Sequence, residues 1–583
     1  MLRLLLLIAL LPLAGSAQLT VRLTVIDATT QAPLSYATVV NLSNGRGSLT
    51  NELGEVQLTN LQPEDELKFS FLGYSPVSVS AAKAAGWSQV ELSPRVLQLQ
   101  TANVVGDPSW MYELLLKTRR KRNFKKQTAR TYYNLNTRID GALVEWIEAY
   151  YNADIIGEDL HRMHLKNGRV GIREWDRRFF LTLNTAKAIL MYQPFSGNRY
   201  FPDAPFEMRK RELLKTYELQ LEQTYRDSEG NAVVVIGFTP LIAPNQHFSG
   251  RAWIDSTTAV LHKIELNVEQ STVSPFVPIL PNDSIGPIRL KMTRTYGRHE
   301  GENRFQQVEF RYSAKYFSEY LAPVDLESRA VIHAYDYDSA FVIPRAPYLT
   351  TGLDDYKRMN AIPHNSVFWS FGADFDLGAD KDALERFYQS ADVFRNDQLF
   401  RDRGSDTLHL YEAPIVFWNP KRVQIRMVHD AETTTNEHWG TMVMPRPYEL
   451  SADLFMDVNQ TPKGLHYKTE AVFDPYKTYW AGEMDRFELA FVNLYFDLFE
   501  CARRDLLTAL QEVHDVTVAQ KLFDQFRTQA FQFGEELITS AERGHAEKAM
   551  RKWDAYVDER LGISNIATFE LEWIDGQPKG LQD

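Results

Sequence analysis

From Leu19 to Ile26 the chain alternates strictly. Leu19, Val21, Leu23 and Val25 fall on one side, and Thr20, Arg22 and Thr24 on the other. A period of two suits an extended strand with one buried face and not a helix. This stretch must therefore lie on a sheet that is covered on one side. Similar runs follow at Ala37 to Leu42, Val56 to Leu58, Leu67 to Phe71, Val77 to Val79 and Val90 to Leu92. Turns fall at Asn44-Gly45 and Leu53-Gly54, where Asn and Gly tolerate positive φ. Short strands at this spacing, separated by turn residues, predict an all-β sandwich over residues 18–105.

The 583 residues leave room for several such units. Acidic residues number 76 against 64 Lys and Arg, for a formal charge of -12. That balance argues against non-specific nucleic-acid binding by the whole chain. The lone cysteine, Cys501, excludes an intrachain disulfide framework and a cysteine-rich zinc knot.

Residues 1–17 read as a signal peptide: Arg3, an apolar run from Leu4 to Leu13, then Gly15-Ser16-Ala17. The mature chain is expected to start at Gln18, exported to the periplasm or associated with the outer membrane. No cysteine follows directly, so a lipidated N-terminus is not expected. The apolar run is too short to span a bilayer, and neither a later transmembrane span nor a ladder of membrane strands is read.

The N-terminal strands carry a recognisable set of pieces. These are Val25-Ile26-Asp27, Ala32-Pro33-Leu34, Ala37-Thr38-Val39, Thr50-Asn51 with Gly54, and Phe71-Leu72-Gly73-Tyr74. Residues 21–92 thereby resemble the carboxypeptidase regulatory-like domain found at the front of many exported Bacteroidetes proteins. Thr24 stands where that family usually has glycine. The resemblance implies a transthyretin-like, seven-stranded β-sandwich with no catalytic residue.

Residues 106–345 read as a central, mainly antiparallel β domain, open to a half-barrel arrangement. Trp110 to Phe124 is predicted helical, and so is Phe206 to Glu222. Strands are predicted at Leu143 to Tyr151, Val233 to Phe238, Ala252 to Ile254, Val260 to Leu266, Leu290 to Thr295 and Gln307 to Ala314. Residues 117–130 are rich in Lys and Arg and hold no acid. They read as a solvated helix end, with contact to phosphate or an anionic lipid surface as the alternative. The hairpin through Trp253 and Asp255 is similar to those of lipoprotein-carrier half-barrels, which implies room for an acyl chain or peptide.

Residues 346–407 read as a connecting segment with a short helix from Lys381 to Phe394. Asp374 and Asp376 alternate, but no EF-hand loop surrounds them, so calcium is not expected. An α+β domain is expected over residues 408–583, with strands around Leu408 to Leu410, Val423 to Val428, Gly440 to Val443, Ser451 to Asp457 and Leu465 to Phe473. His429, Asp430, Glu437 and His438 lie close together in the sequence, and the intervening threonines favour a polar hairpin. A metal site at His429, Asp430 and His438 is the alternative.

Asp485 to Leu510 predicts a long helix with a buried stripe at Phe487, Phe491, Leu494, Leu498 and Cys501. Tyr495-Phe496-Asp497-Leu498 followed by Ala502-Arg503 resembles the active helix of a family of predicted zinc proteases. That family has HExxHFDI followed by an Ala-Arg pair. The resemblance places Phe491 and Tyr495 at the two histidine positions and Val492 at the catalytic glutamate. Phe491 cannot ligate zinc and Val492 cannot act as a base. The resemblance therefore implies a protease-like domain without its chemistry. Further helices are predicted at Val516 to Gly534 and Glu536 to Leu561, and an edge strand at Phe569 to Trp573.

The leading expectation is a non-catalytic cell-envelope scaffold or binding module. It would use no cofactor, no nucleic acid and no transmembrane span. Its partner would be an envelope protein or glycan, with peripheral membrane contact left open. The alternatives are a metal-dependent hydrolase and a carrier of a lipid or other hydrophobic ligand.

Overall fold

The computed structural model describes residues 19–95, 108–120, 124–173, 185–196, 199–226, 230–278, 282–319, 322–349, 355–395, 415–420, 423, 429–430, 448–475 and 477–579. The leader expected at residues 1–17 lies outside them, as do the strands expected near Leu408 and Gly440.

Seven strands form the N-terminal unit: β1 (Leu19–Asp27), β2 (Thr38–Asn41), β3 (Gly47–Leu49), β4 (Glu55–Leu61), β5 (Glu66–Ser70), β6 (Val77–Ser80) and β7 (Gln89–Leu92). One sheet runs β4-β1-β7 and the other β3-β2-β5-β6. Val21, Leu23 and Val25 fill the space between them together with Val39, Leu67 and Phe69. The family pieces meet physically. Tyr74 Oη donates to Asp27 Oδ2 at 2.7 Å, and Asp27 Oδ1 accepts from the backbone N–H groups of Thr29 and Thr30. Gly54 sits at φ +71°, where a Cβ would come within 2.5 Å of the Val25 carbonyl. Tyr74→Phe is expected to cost about 1–2 kcal/mol, read as a lower unfolding midpoint in urea with an unchanged slope.

The central unit begins with α1 (Ser109–Arg120), followed by β8 (Lys126–Ile139), β9 (Ala142–Ile156) and β10 (Asp159–Arg173). Next come α2 (Thr185–Met191), α3 (Lys210–Thr216), β11 (Tyr217–Arg226), β12 (Ala232–Pro240), β13 (Ser249–Asp255) and β14 (Leu261–Ser271). The unit closes with β15 (Ile288–His299), β16 (Glu302–Phe317) and β17 (Val324–Asp336). These strands form one large antiparallel sheet, ordered β11-β12-β13-β14-β15-β16-β17-β8-β9-β10. One face of the sheet packs against α1, α2 and α3. The helix expected over Phe206 to Glu222 is corrected here: a single 3-10 turn at Pro205–Glu207 precedes the α-helix Lys210–Thr216, and the chain then extends as β11. Leu219, buried opposite Phe238, decides the period from Tyr217 onward.

The stretch read as a connection does more than connect. Its residues Phe375–Asp376 form β18, which pairs in parallel with β3 and adds a fifth strand to the N-terminal sheet. The Phe375 ring stacks on His333 and on Tyr335 of the central sheet, with centroids 4.9 Å away in each case. The helix expected from Lys381 to Phe394 is corrected here: α4 covers only Lys381–Tyr388, and β19 (Val393–Arg395) then extends the central sheet beyond β10, where Val393 packs with Trp146, Phe387 and Tyr388. Glu52 pairs with Arg311 and Arg329, and Asn51 Nδ2 donates to Asp380 at 3.0 Å. The N-terminal sandwich is thus fastened to the outer face of the central sheet.

The C-terminal unit holds the hairpin β20 (Ala452–Thr461) and β21 (Gly464–Phe473), covered by α5 (Arg486–Ala509), α6 (Val516–Ser540) and α7 (Glu547–Leu561). The expected helix from Glu536 to Leu561 is broken at residues 541–546. Glu542, Arg543 and Gly544 all have positive φ there, and a Cβ on Gly544 would lie 2.3 Å from the Phe487 carbonyl. Close packing on α5 overrides the helix propensity of the stretch. The expected edge strand is also corrected: Asn565–Thr568 is a helical turn, and Trp573–Ile574 forms a two-residue hairpin with Gln577–Pro578.

Lys166 on β10 joins this unit to the central sheet. Its ammonium, buried to 2 % exposure, meets Asp457 Oδ1 and also donates to the carbonyls of Val342 and Val458 at 2.9 and 2.8 Å. Asp457 Oδ2 accepts from Asn365 and Asn459, both at 2.9 Å. Each charge here has a full set of hydrogen-bond partners.

Candidate functional site

Helix α5 is the element on which the sequence placed lost chemistry. Phe491 and Val492 are fully buried and Tyr495 nearly so. Phe491 packs edge-on against Tyr448 and Trp480, with centroids 5.9 and 6.3 Å away. Tyr495 packs against Phe499 and over Gly534, where a Cβ would come within 2.7 Å of its ring. The polar residues of the helix serve packing. Asn493 bonds both the N–H and the carbonyl of Val423. Asp497 accepts from Trp418 Nε1 at 2.8 Å and from Asn565 Nδ2 at 2.7 Å. Arg503 grips the buried Glu500 through two nitrogens and also reaches Thr469 on β21. Cys501 is buried, and desolvation pushes its thiol up to about 12, which keeps it protonated.

Among the described residues, one group has the make-up of a metal site: Asp485, Glu488 and His545, whose ligand atoms lie within 4.8 Å of one another. It sits at the N-terminus of α5. Asp485 Oδ1 caps the helix by accepting from the Glu488 N–H at 2.8 Å, and Glu488 Oε2 accepts from the Asp485 N–H at 3.0 Å. Asp485 Oδ2 meets His545 Nε2 at 2.8 Å, and Glu488 Oε1 meets Arg543 at 2.8 Å. Every carboxylate oxygen is committed, and a guanidinium already supplies the positive charge. The arrangement pins the strained 542–544 turn onto α5. The capping pair is legible in the sequence as Asp485-x-x-Glu488, but His545 and Arg543 are brought in from far along the chain.

The sequence-expected residues fare differently. His429–Asp430 forms a two-residue strand parallel to Tyr479–Trp480. Glu437 and His438 lie outside the described residues. Asp374 accepts from Tyr335 Oη at 2.6 Å and from Arg130 at 3.1 Å, and Asp376 pairs with Lys381 at 3.1 Å, so both serve the N-terminal junction.

Aromatic rings fill the space between the central sheet and its helices. Tyr192 packs on Phe201 and Phe248, Phe206 on Phe238, and Phe276 on Tyr312. Arg294, almost fully buried, donates to the Ile189 and Tyr192 carbonyls and so caps the C-terminal end of α2. Glu207 is less comfortable. Its carboxylate is buried, and desolvation, aided by Asp203 and opposed by the Ala204 backbone N–H, pushes it up to about 9. The folded chain keeps this proton while the unfolded chain loses it near the ordinary value of 4.5. Stability should therefore fall as pH rises from there towards 9. Glu207→Gln is expected to flatten that slope and to raise the melting temperature by about 2 °C or more on its alkaline side. Melting curves across pH would check it.

Fold and site together define a β-rich protein with three large hydrophobic cores among the described residues, and the polar clusters just described link neighbouring segments. Residues 24–104 match the family model described as CarboxypepD_reg-like domain. No curated protein matches the chain. Among solved structures, MucB in complex with MucA(peri) is 11% identical and aligns over 39% of this chain and 94% of its own, with a TM-score of 0.13. An outer-membrane lipoprotein-sorting protein domain from Vibrio parahaemolyticus is 10% identical over 42% and 94%, at 0.17. A LolA superfamily protein from Nitrosomonas europaea is 10% identical over 41% and 99%, at 0.15. Scores of this size carry no argument about what this chain binds.

Proposed function

We propose that the protein is a non-catalytic scaffold or binding module of the cell envelope, exported by its leader. An envelope protein or glycan is the expected partner. The observation that carries this reading is the strand at Phe375–Asp376, which completes the N-terminal sheet while its Phe375 ring stacks on the central one. A module that only tethers would hang on a linker. This one is held at a fixed angle by β-pairing, by Glu52 with Arg311 and Arg329, and by Asn51 with Asp380. Rigid presentation of two surfaces serves recognition. The committed polar groups of α5 support the same reading, because they brace neighbouring segments.

The test is cell fractionation followed by crosslinking in intact cells. The reading expects the chain in an exported fraction, crosslinked to an envelope component. Recovery as a strict monomer in every fraction, with no envelope partner, would contradict it.

A further inference from the structure

The basic run at residues 117–130 divides in the fold. Lys126 pairs with Asp154, and Arg130 with Asp374, so that half is neutralised within the sheet. Arg119 and Arg120 are exposed at the end of α1, which lies beside α3: Glu113 pairs with Lys210, and Arg119 donates to the Glu207 carbonyl. On α3, Leu213 and Thr216 point inward. Arg211, Leu214 and Lys215 are exposed and, at i, i+3 and i+4, share one outward face.

The loop after β12 reaches the end of that face, because the Leu241 N–H donates to the Thr216 carbonyl at 2.7 Å. Its tip reads Leu241-Ile242-Ala243-Pro244, and all four residues are exposed. Leu241 is 57 % exposed, Ile242 52 % and Leu214 46 %. Loop tips are ordinarily polar, and an apolar tip held out in water is costly. This one is also held in shape. Ala243 adopts φ +42°, its carbonyl accepts from Gln246 N–H, and the Gln246 carbonyl accepts from Asp203 N–H.

We propose that this end of the central sheet, formed by α3, the end of α1 and the 241–244 loop, docks on an anionic lipid surface. The cations would meet the head groups while Leu241, Ile242 and Leu214 enter the acyl boundary. Charge complementarity selects a polyanionic occupant, and the apolar tip among the cations selects a bilayer over a soluble acidic protein. The rest of the chain is acidic overall, which would orient this end towards the membrane. The docking face does not depend on the binding reading above.

Cosedimentation with vesicles tests it, using the chain from Gln18 onward so that the leader contributes nothing. Vesicles of phosphatidylcholine mixed with phosphatidylglycerol should bind the protein, and phosphatidylcholine alone should not. Binding should weaken as salt is raised. Arg211→Ala with Lys215→Ala should lower partitioning about fivefold per cation, roughly 30-fold together. Leu241→Asp with Ile242→Asp should lower it roughly tenfold or more. Thermal melts of both variants should match the parent, since all four side chains face solvent. Equal binding to both vesicle types, or no binding to either, would overturn the proposal. Loss with the cation variant but not with the loop variant would also overturn it, and would leave a soluble polyanion as the occupant.

Discussion

Asp457→Ala is expected to destabilise the protein by about 3–5 kcal/mol, the usual cost of stranding one partner of a buried ion pair. The substitution removes the only carboxylate that the described residues place against the Lys166 ammonium, and it frees the amides of Asn365 and Asn459 as well. Burial already holds Lys166 below its ordinary value, against the opposing pull of Asp457. Without Asp457 that value must fall further. A lysine with a depressed folded value binds fewer protons when folded than when unfolded, so the stability of the variant should rise with pH. Lys166→Met with Asp457→Leu removes both charges and is expected to recover much of the loss. Equilibrium urea unfolding of the single and double variants at two pH values would read all three outcomes. A single variant within about 1 kcal/mol of the parent would show that this pair does not hold the two units together.

Phe491→Ala is the second large effect, at about 3–5 kcal/mol. The ring is fully buried, and it closes the space between Tyr448, Trp480 and the start of α5. Had this position faced a vacated cleft, truncation would relieve nothing and cost little. The two accounts therefore separate in a single denaturation curve. Loss of several kcal/mol with an unchanged denaturant slope marks a core position.

The N-terminal sandwich was legible because its strands bury one face each, and Val21, Leu23 and Val25 announce that face. β3 was not, since Gly47 has no side chain to show a period. No sequence pattern could place Phe375–Asp376 in the same sheet, because only two residues pair and their partners lie more than 300 positions away. Long strands such as β8 were hidden for another reason. Tyr132 is buried against Tyr36 and Leu49 of the N-terminal module, and Asn134, which donates to its hydroxyl, is buried too, so polar and apolar residues are covered alike and alternation is lost. Helix α5 was legible to within a residue at each end, although Asp485, read as its first residue, is its cap. The cluster at its start was half legible. A capping pair is local, whereas His545 arrives through a turn that Gly544 permits by packing against Phe487. The filled interior of the central sheet could not be read either, since strand patterning specifies a buried face and not what fills it.

The central claim is that α5 is a structural helix, its polar groups spent on packing and Phe491 and Tyr495 buried among neighbouring rings. Elemental analysis of the purified chain, paired with a peptide-hydrolysis assay before and after chelation, tests this most directly. The account predicts less than one equivalent of any transition metal and no hydrolysis that a chelator abolishes. One tightly held zinc per chain, at the Asp485, Glu488 and His545 end of that helix, with cleavage that stops when the zinc is withdrawn, would contradict it.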